Sequence, residues 1–171
     1  MAALLHDSAR RIREHVDQIL APLRPRIRSR GAVLLQKSVD EVLVALRRAG
    51  KVRRLELTIK ASADNITVFG DKDEIYQIVM NLLTNALDAL FDGGGGHRGA
   101  IEVSFHEDGD RVLLIVKDDG RGISQENVDR VFDPVYTTKG SLGTGLGLPV
   151  VRDIARARGG EIMLSSVVDK G

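Results

Sequence analysis

From Asp71 to about Phe91 the chain carries apolar residues at helical period on most of its circumference. Ile75, Ile78, Val79, Leu82, Leu83, Ala86 and Leu90 are aliphatic, whereas Glu74, Gln77, Asn81, Asn85 and Asp88 fall along one stripe. A solvated stripe is normally rich in Lys and Glu; this one has neutral amides at its centre. Two carboxamides one turn apart, walled by aliphatics, suit a partly buried polar ligand, because each amide both donates and accepts. Taken alone, the stripe reads equally well as an Asn pair facing water. Asp71 and Glu74 have the spacing of a capping box that opens this helix.

Around it the periodicity predicts alternating helices and strands. Val39, Val42, Leu43 and Leu46 mark a helix from about Ser38 to Ala49, closed by Gly50. Leu55, Leu57 and Ile59 alternate as a strand, and Ile66 to Phe69 forms another. Gly93 to Gly96 is a loop. Ala100–Phe105 and Arg111–Lys117 flank Asp108-Gly109, a hairpin turn signal. Val112 to Val116 is apolar at every position, which predicts a central strand covered on both faces. A short helix is expected after Ser124, a further one from about Gly145 to Arg158 ended by Gly159-Gly160, and a last strand over Glu161 to Ser166. The expected architecture is α+β: a two-layer α/β sandwich, a mixed sheet with helices on one face.

Before this domain, Leu5, Ile12, Val16, Ile19 and Leu23 form a heptad-like seam that wants a partner helix, ended by Pro22 and Pro25. Charge divides the same way. Residues 1–60 hold 14 Lys+Arg against 6 Asp+Glu, whereas residues 61–171 hold 11 against 18. The acidic part is ill suited to nucleic acid, and the basic part lacks interleaved aromatics. An anion bound by the acidic part has to be held by local amides and a metal ion. There is no cysteine, hence no disulfide or thiolate site, and a reducing cytosol is the natural setting. No apolar run approaches the roughly 20 residues of a membrane span, and no secretory signal is visible.

Two further segments carry chemistry. Asp118-Asp119-Gly120-Arg121-Gly122 closes the Arg111 strand: a carboxylate there accepts from an exocyclic amine, and glycines let the backbone approach a flat ligand. Gly143-Thr144-Gly145-Leu146-Gly147-Leu148 feeds a helix start with spaced glycines and presents backbone N–H groups to phosphate oxygens. It lacks the Lys-Ser/Thr of a P-loop and does not follow a strand as a dinucleotide fingerprint does. Either segment alone also fits an ordinary surface turn.

Their order decides. Asn81-Leu-Leu-Thr-Asn85-Ala-Leu-Asp-Ala89 resembles the asparagine box of the GHKL ATPase superfamily, the Bergerat fold. Asp118 to Gly122 resembles its first glycine box, Phe132-Asp-Pro-Val-Tyr-Thr-Thr-Lys139 the phenylalanine box of sensor histidine kinases, and Gly143 to Leu148 the second glycine box. Residues 1–30 are similar to the end of the second helix of the kinase dimerisation hairpin, and 31–171 to the catalytic ATP-binding domain. The resemblance implies that Asn85 coordinates Mg²⁺ and Asn81 helps hold the triphosphate of ATP. It implies that Asp118 reads the adenine amine with Gly122 beneath the base, and that Lys139 brings charge to the γ-phosphate. The implied binding set also takes in Asp88, Gly120, Gly143, Thr144, Gly145, Leu146 and Gly147, with Asn81 and Lys139 catalytic.

Gyrase-type relatives carry a glutamate where Asn81 stands, and Asn is no general base near neutral pH. A site with Asn81 is expected to hand the γ-phosphoryl to a histidine rather than to water. That histidine is expected upstream of Met1. His6, beside Asp7, reads as a helix-surface residue, because too little chain follows it for a returning helix. The resemblance further implies a homodimer through the N-terminal helix of a parent protein, a response-regulator partner, and a cytoplasmic domain whose parent is free to be membrane-anchored, with no nucleic acid and no membrane contact by this part. Two departures stand out: Val135 where an aromatic is common, and an end at Gly171 before the strand that usually follows. The competing readings are a nucleotide-binding regulatory module and another GHKL ATPase without kinase activity.

Overall fold

The computed structural model describes residues 30–52, 56–59, 66–91, 99–137 and 143–171, with 56–59 and 91 described by backbone alone. The seam, His6, Gly93–Gly96 and Lys139 lie outside the described residues.

Among the described residues, five strands make two sheets. β1 (Arg30–Leu34) pairs antiparallel with β3 (Thr67–Asp71), Arg30 opposite Asp71 and Leu34 opposite Thr67. β2 (Glu56–Ile59), β4 (Ala100–Asp108) and β5 (Arg111–Asp118) form a mixed sheet in the order β2-β4-β5. β2 runs parallel to β4, and β4 is antiparallel to β5 across the Asp108–Arg111 hairpin. The described helices are α1 (Leu35–Arg48), α2 (Lys72–Phe91), the single turn α3 (Gln125–Val128) and α4 (Gly147–Ala157). A 3-10 turn, Arg130–Phe132, follows α3.

The core lies between this sheet and the helices. Val39, Val42, Leu43 and Leu46 of α1 meet Val79, Leu83, Ala86, Leu87 and Leu90 of α2 and the inward residues Ile101, Val103 and Phe105 of β4. Alternation along β4 sends Glu102 and Ser104 to the opposite face, so one helix layer suffices. Val112, Leu114 and Val116 of β5 close the same core.

Three expectations are corrected. β5 is not central: among the described residues it is an edge strand, and Leu113 and Ile115 on its outer face are 40% and 38% exposed. The described helices cover one face only, so an all-apolar strand does not imply burial on both. Residues 161–167 form no strand, although their exposure alternates. They pair with no described strand, and the bonds they make go elsewhere: Ile123 N donates to Ser166 Oγ at 2.8 Å and Val167 N to Gly171 O at 2.7 Å. The capping box is half formed. Asp71 Oδ1 accepts from Asp73 N at 2.9 Å, but Glu74 gives both carboxylate oxygens to Arg158, at 2.8 Å each.

Candidate nucleotide site

The site is hung on α2. Asn81 and Asn85, half-buried and one turn apart, face the start of α4. A methyl group added at Gly147 would sit 3.5 Å from Asn85 Nδ2 and 3.8 Å from Asn81 Oδ1. The amide pair therefore adjoins the first turn of α4. Among the described residues no side chain caps that turn, which leaves its leading backbone N–H groups to an external acceptor. Thr144 Oγ1 accepts from Leu146 N at 3.2 Å and shapes the approach, and Leu146 O takes the first helical bond from Val150 N at 3.1 Å.

One turn beyond Asn85, Ala89 anchors the loop after β5. Ala89 O accepts from Arg121 N at 3.2 Å, and a Cβ at Gly120 would fall 2.8 Å from Ala89 Cβ. Asp118 ends β5 beside this contact. Its Oδ1 accepts from Gly120 N at 3.0 Å, and Asp119 Oδ1 accepts from Ala100 N at 2.8 Å. Burial pushes the Asp118 carboxyl above the usual carboxylate range; the Gly120 bond opposes this, and neighbouring Asp119 adds to it. Asp88 lies on α2 three residues beyond Asn85.

Gly122 was expected to offer its open side to a flat ring. Its φ is 66°, and a Cβ there would meet Val167 O at 2.2 Å, so a glycine is required by the chain's own packing. The segment from Ser166 to Gly171 is seated on the Asp118–Gly122 loop through these contacts.

The phenylalanine-type segment and the glycine segment meet part-way along each: Val135 N donates to Gly145 O at 3.0 Å. Val135 is held at φ 68°, rare for a β-branched residue, and is 71% exposed. Sequence reasoning missed what holds this segment down. Tyr136 Oη bonds Asn127 Oδ1, Asn127 Nδ2 donates to Ser124 Oγ at 2.9 Å, and the Arg130 guanidinium lies 4.4 Å over the Tyr136 ring. Only the aromatic at 136 and the basic residue six positions before it gave a signal in the sequence.

The family model described as histidine kinase-, DNA gyrase B-, and HSP90-like ATPase matches residues 70–171. The chain belongs to this family. The sensor histidine kinase ZraS of Salmonella typhi is 32% identical over the whole chain, and the chain spans 36% of the length of ZraS. Sporulation kinase A of Bacillus subtilis is 32% identical over 80% of the chain and 22% of its own length. The solved catalytic domain of histidine kinase ThkA, 26% identical, superposes with a TM-score of 0.64 over 75% of this chain and 81% of that one. ThkA in complex with the response regulator protein TrrA shares the fold, with 22% identity and a TM-score of 0.71 over 92% and 43%. The histidine kinase- and gyrase-like fold, with helices layered on one face of a mixed sheet, is thus the one observed. Within this ATPase fold, the two amides, the uncapped start of α4 and the Asp118 carboxylate all attach to α2.

Among the described residues no cluster of three or more His, Cys, Asp or Glu could hold a metal. The neutral amide oxygens of Asn81 and Asn85 are hard donors that suit Mg²⁺ when phosphate oxygens and water complete its shell. No described helix is long and apolar enough to cross a membrane.

Proposed function

We propose that this chain is the ATP-binding catalytic domain of a sensor histidine kinase. It binds Mg-ATP and passes the γ-phosphoryl to a histidine on a dimerisation helix that precedes the described residues. In the transfer, the lone pair of the unprotonated imidazole nitrogen forms the new bond to the γ-phosphorus. The bond from that phosphorus to the bridging oxygen breaks with its electron pair leaving on ADP, and the other ring nitrogen releases its proton to solvent.

The carrying observation is Asn81 beside the first turn of α4. The two side chains that Gly147 adjoins, Asn85 and Asn81, are both amides, and neither can take a proton from water. Asn85 would offer its amide oxygen to magnesium, whose charge would offset that of the phosphates. The amides of Gly147 and Leu148 hold phosphate oxygens, with Gly143, Thr144, Gly145 and Leu146 shaping the approach. Asp118 accepts from the adenine amine, Gly120 fixes its carboxylate, and Lys139 brings a positive charge toward the γ-phosphate. The relatives named as sensor kinases support this reading, as does ThkA, solved with a response regulator. A response regulator, a second copy joined through residues 1–30 and a cytoplasmic setting belong to the same proposal.

Mixing the chain with an intact acceptor hairpin and γ-labelled ATP tests it. Label in acid-labile, base-stable form on the hairpin is expected. Binding without transfer would favour a regulatory nucleotide module, and rapid release of phosphate would favour a hydrolysing ATPase.

A further inference from the structure

α2 and α4 are packed side by side and run antiparallel, meeting at two places and bonded at one of them. At one end Gly147 approaches Asn85; at the other Arg158, just past the last turn of α4, grips Glu74 in the first turn of α2. The two meeting places match in spacing. Glu74 precedes Asn85 by eleven residues, and Gly147 precedes Arg158 by eleven. Both stretches rise about 16 Å.

The grip is two-pronged: Arg158 Nε donates to Glu74 Oε2 and Nη2 to Oε1, each at 2.8 Å. Paired nitrogens on paired oxygens fix direction as well as distance, which a single contact does not. The side chains are 28% and 16% exposed, so solvent screens the pair only in part. Each charge also sits at the helix end that favours it, the carboxylate at the start of α2 and the guanidinium at the finish of α4.

We infer that Glu74 and Arg158 are positioning residues that set the axial register of α4 on α2, and thereby the place of its phosphate-facing first turn against Asn81 and Asn85. Neither reaches the nucleotide. A slip of α4 along α2 leaves Asp118 untouched, because that carboxylate is anchored through Ala89 and β5 instead. The pair therefore governs the phosphate half of the site and not the adenine half. This inference rests on the nucleotide reading of the site.

The test titrates Mg-ATP and adenosine into the full chain, the Arg158→Gln variant and the double variant Glu74→Arg with Arg158→Glu, followed by protein NMR and thermal melts. Arg158→Gln is expected to weaken Mg-ATP by about three- to tenfold while adenosine changes less than about twofold. The charge-exchanged variant is expected to recover to within about threefold of the starting Mg-ATP affinity. Equal weakening of both ligands, or a lowered melting temperature with Mg-ATP affinity unchanged, would overturn the inference and leave the nucleotide reading standing. A starting chain that binds neither ligand would overturn both.

Discussion

Gly120 lies so close to Ala89 that a Cβ at position 120 would come within 2.8 Å of the Ala89 Cβ and 2.7 Å of Asp118 Oδ1. Gly120→Ala therefore has to push the loop off α2 and turn the carboxylate. A loss of about 1–3 kcal/mol of stability is expected, with weaker nucleotide binding. Gly70→Ala is the control: its nearest neighbours, atoms of Ile75, are 3.9 Å away. Chemical denaturation and calorimetry of both variants check the contrast.

Asn81→Glu puts a proton acceptor beside the start of α4. Nucleotide hydrolysis is expected to rise by about tenfold or more while transfer to an acceptor hairpin falls. Phosphate release that does not rise would remove Asn81 from its role. Asn85→Ala is expected to abolish Mg-ATP binding, read by calorimetry.

Asp118 is raised by burial, so ionising it costs the folded state. The sign follows: the stability it contributes is complete below the unfolded carboxyl value, near 3.9, and is lost as pH rises through the higher folded value. Asp118→Asn should therefore raise the melting temperature of the nucleotide-free chain at pH 7 by about 1–3 °C, with the gain vanishing in acid. Adenine affinity should fall in the same variant. In the unaltered chain, that affinity should weaken as pH drops through the raised value. Melts and titrations at several pH values measure both.

Val135→Asn replaces a β-branched residue held at φ 68° with one that tolerates this conformation, keeping the N–H that reaches Gly145. A gain of about 0.5–1 kcal/mol is expected by denaturation. Tyr136→Phe removes the bond to Asn127 while leaving the ring under Arg130, and about 1 kcal/mol should be lost.

Much of this fold was legible because its strongest signals are local. The α2 aliphatics, the Asp108-Gly109 turn and the glycine closing α1 each act within a few residues of themselves. β1 was not legible: its five residues, Arg-Gly-Ala-Val-Leu, lack alternation, and they become a strand only by pairing with distant β3. The same non-locality explains the failed strand over 161–166, whose pattern is right but which pairs with no described strand. Glu74 was read as a cap because position in sequence suggested it, whereas Arg158, 84 residues on, claims it. At the site, residue types and order pointed to α2, Asp118 and the start of α4. The fastening of the 135–136 segment by Ser124, Asn127 and Arg130 depends on where separate loops land, and no spacing rule encodes that.

Because Asn81, Asn85 and Ala89 follow one another at single-turn intervals on one helix, the span between the two halves of the site is set by helical rise, about 12 Å from first to last. Such a helix is a ruler more than a hinge. A ligand too short to reach from the carboxylate to the amides meets only one half of the site, and no rearrangement short of bending α2 will bring the other half to it.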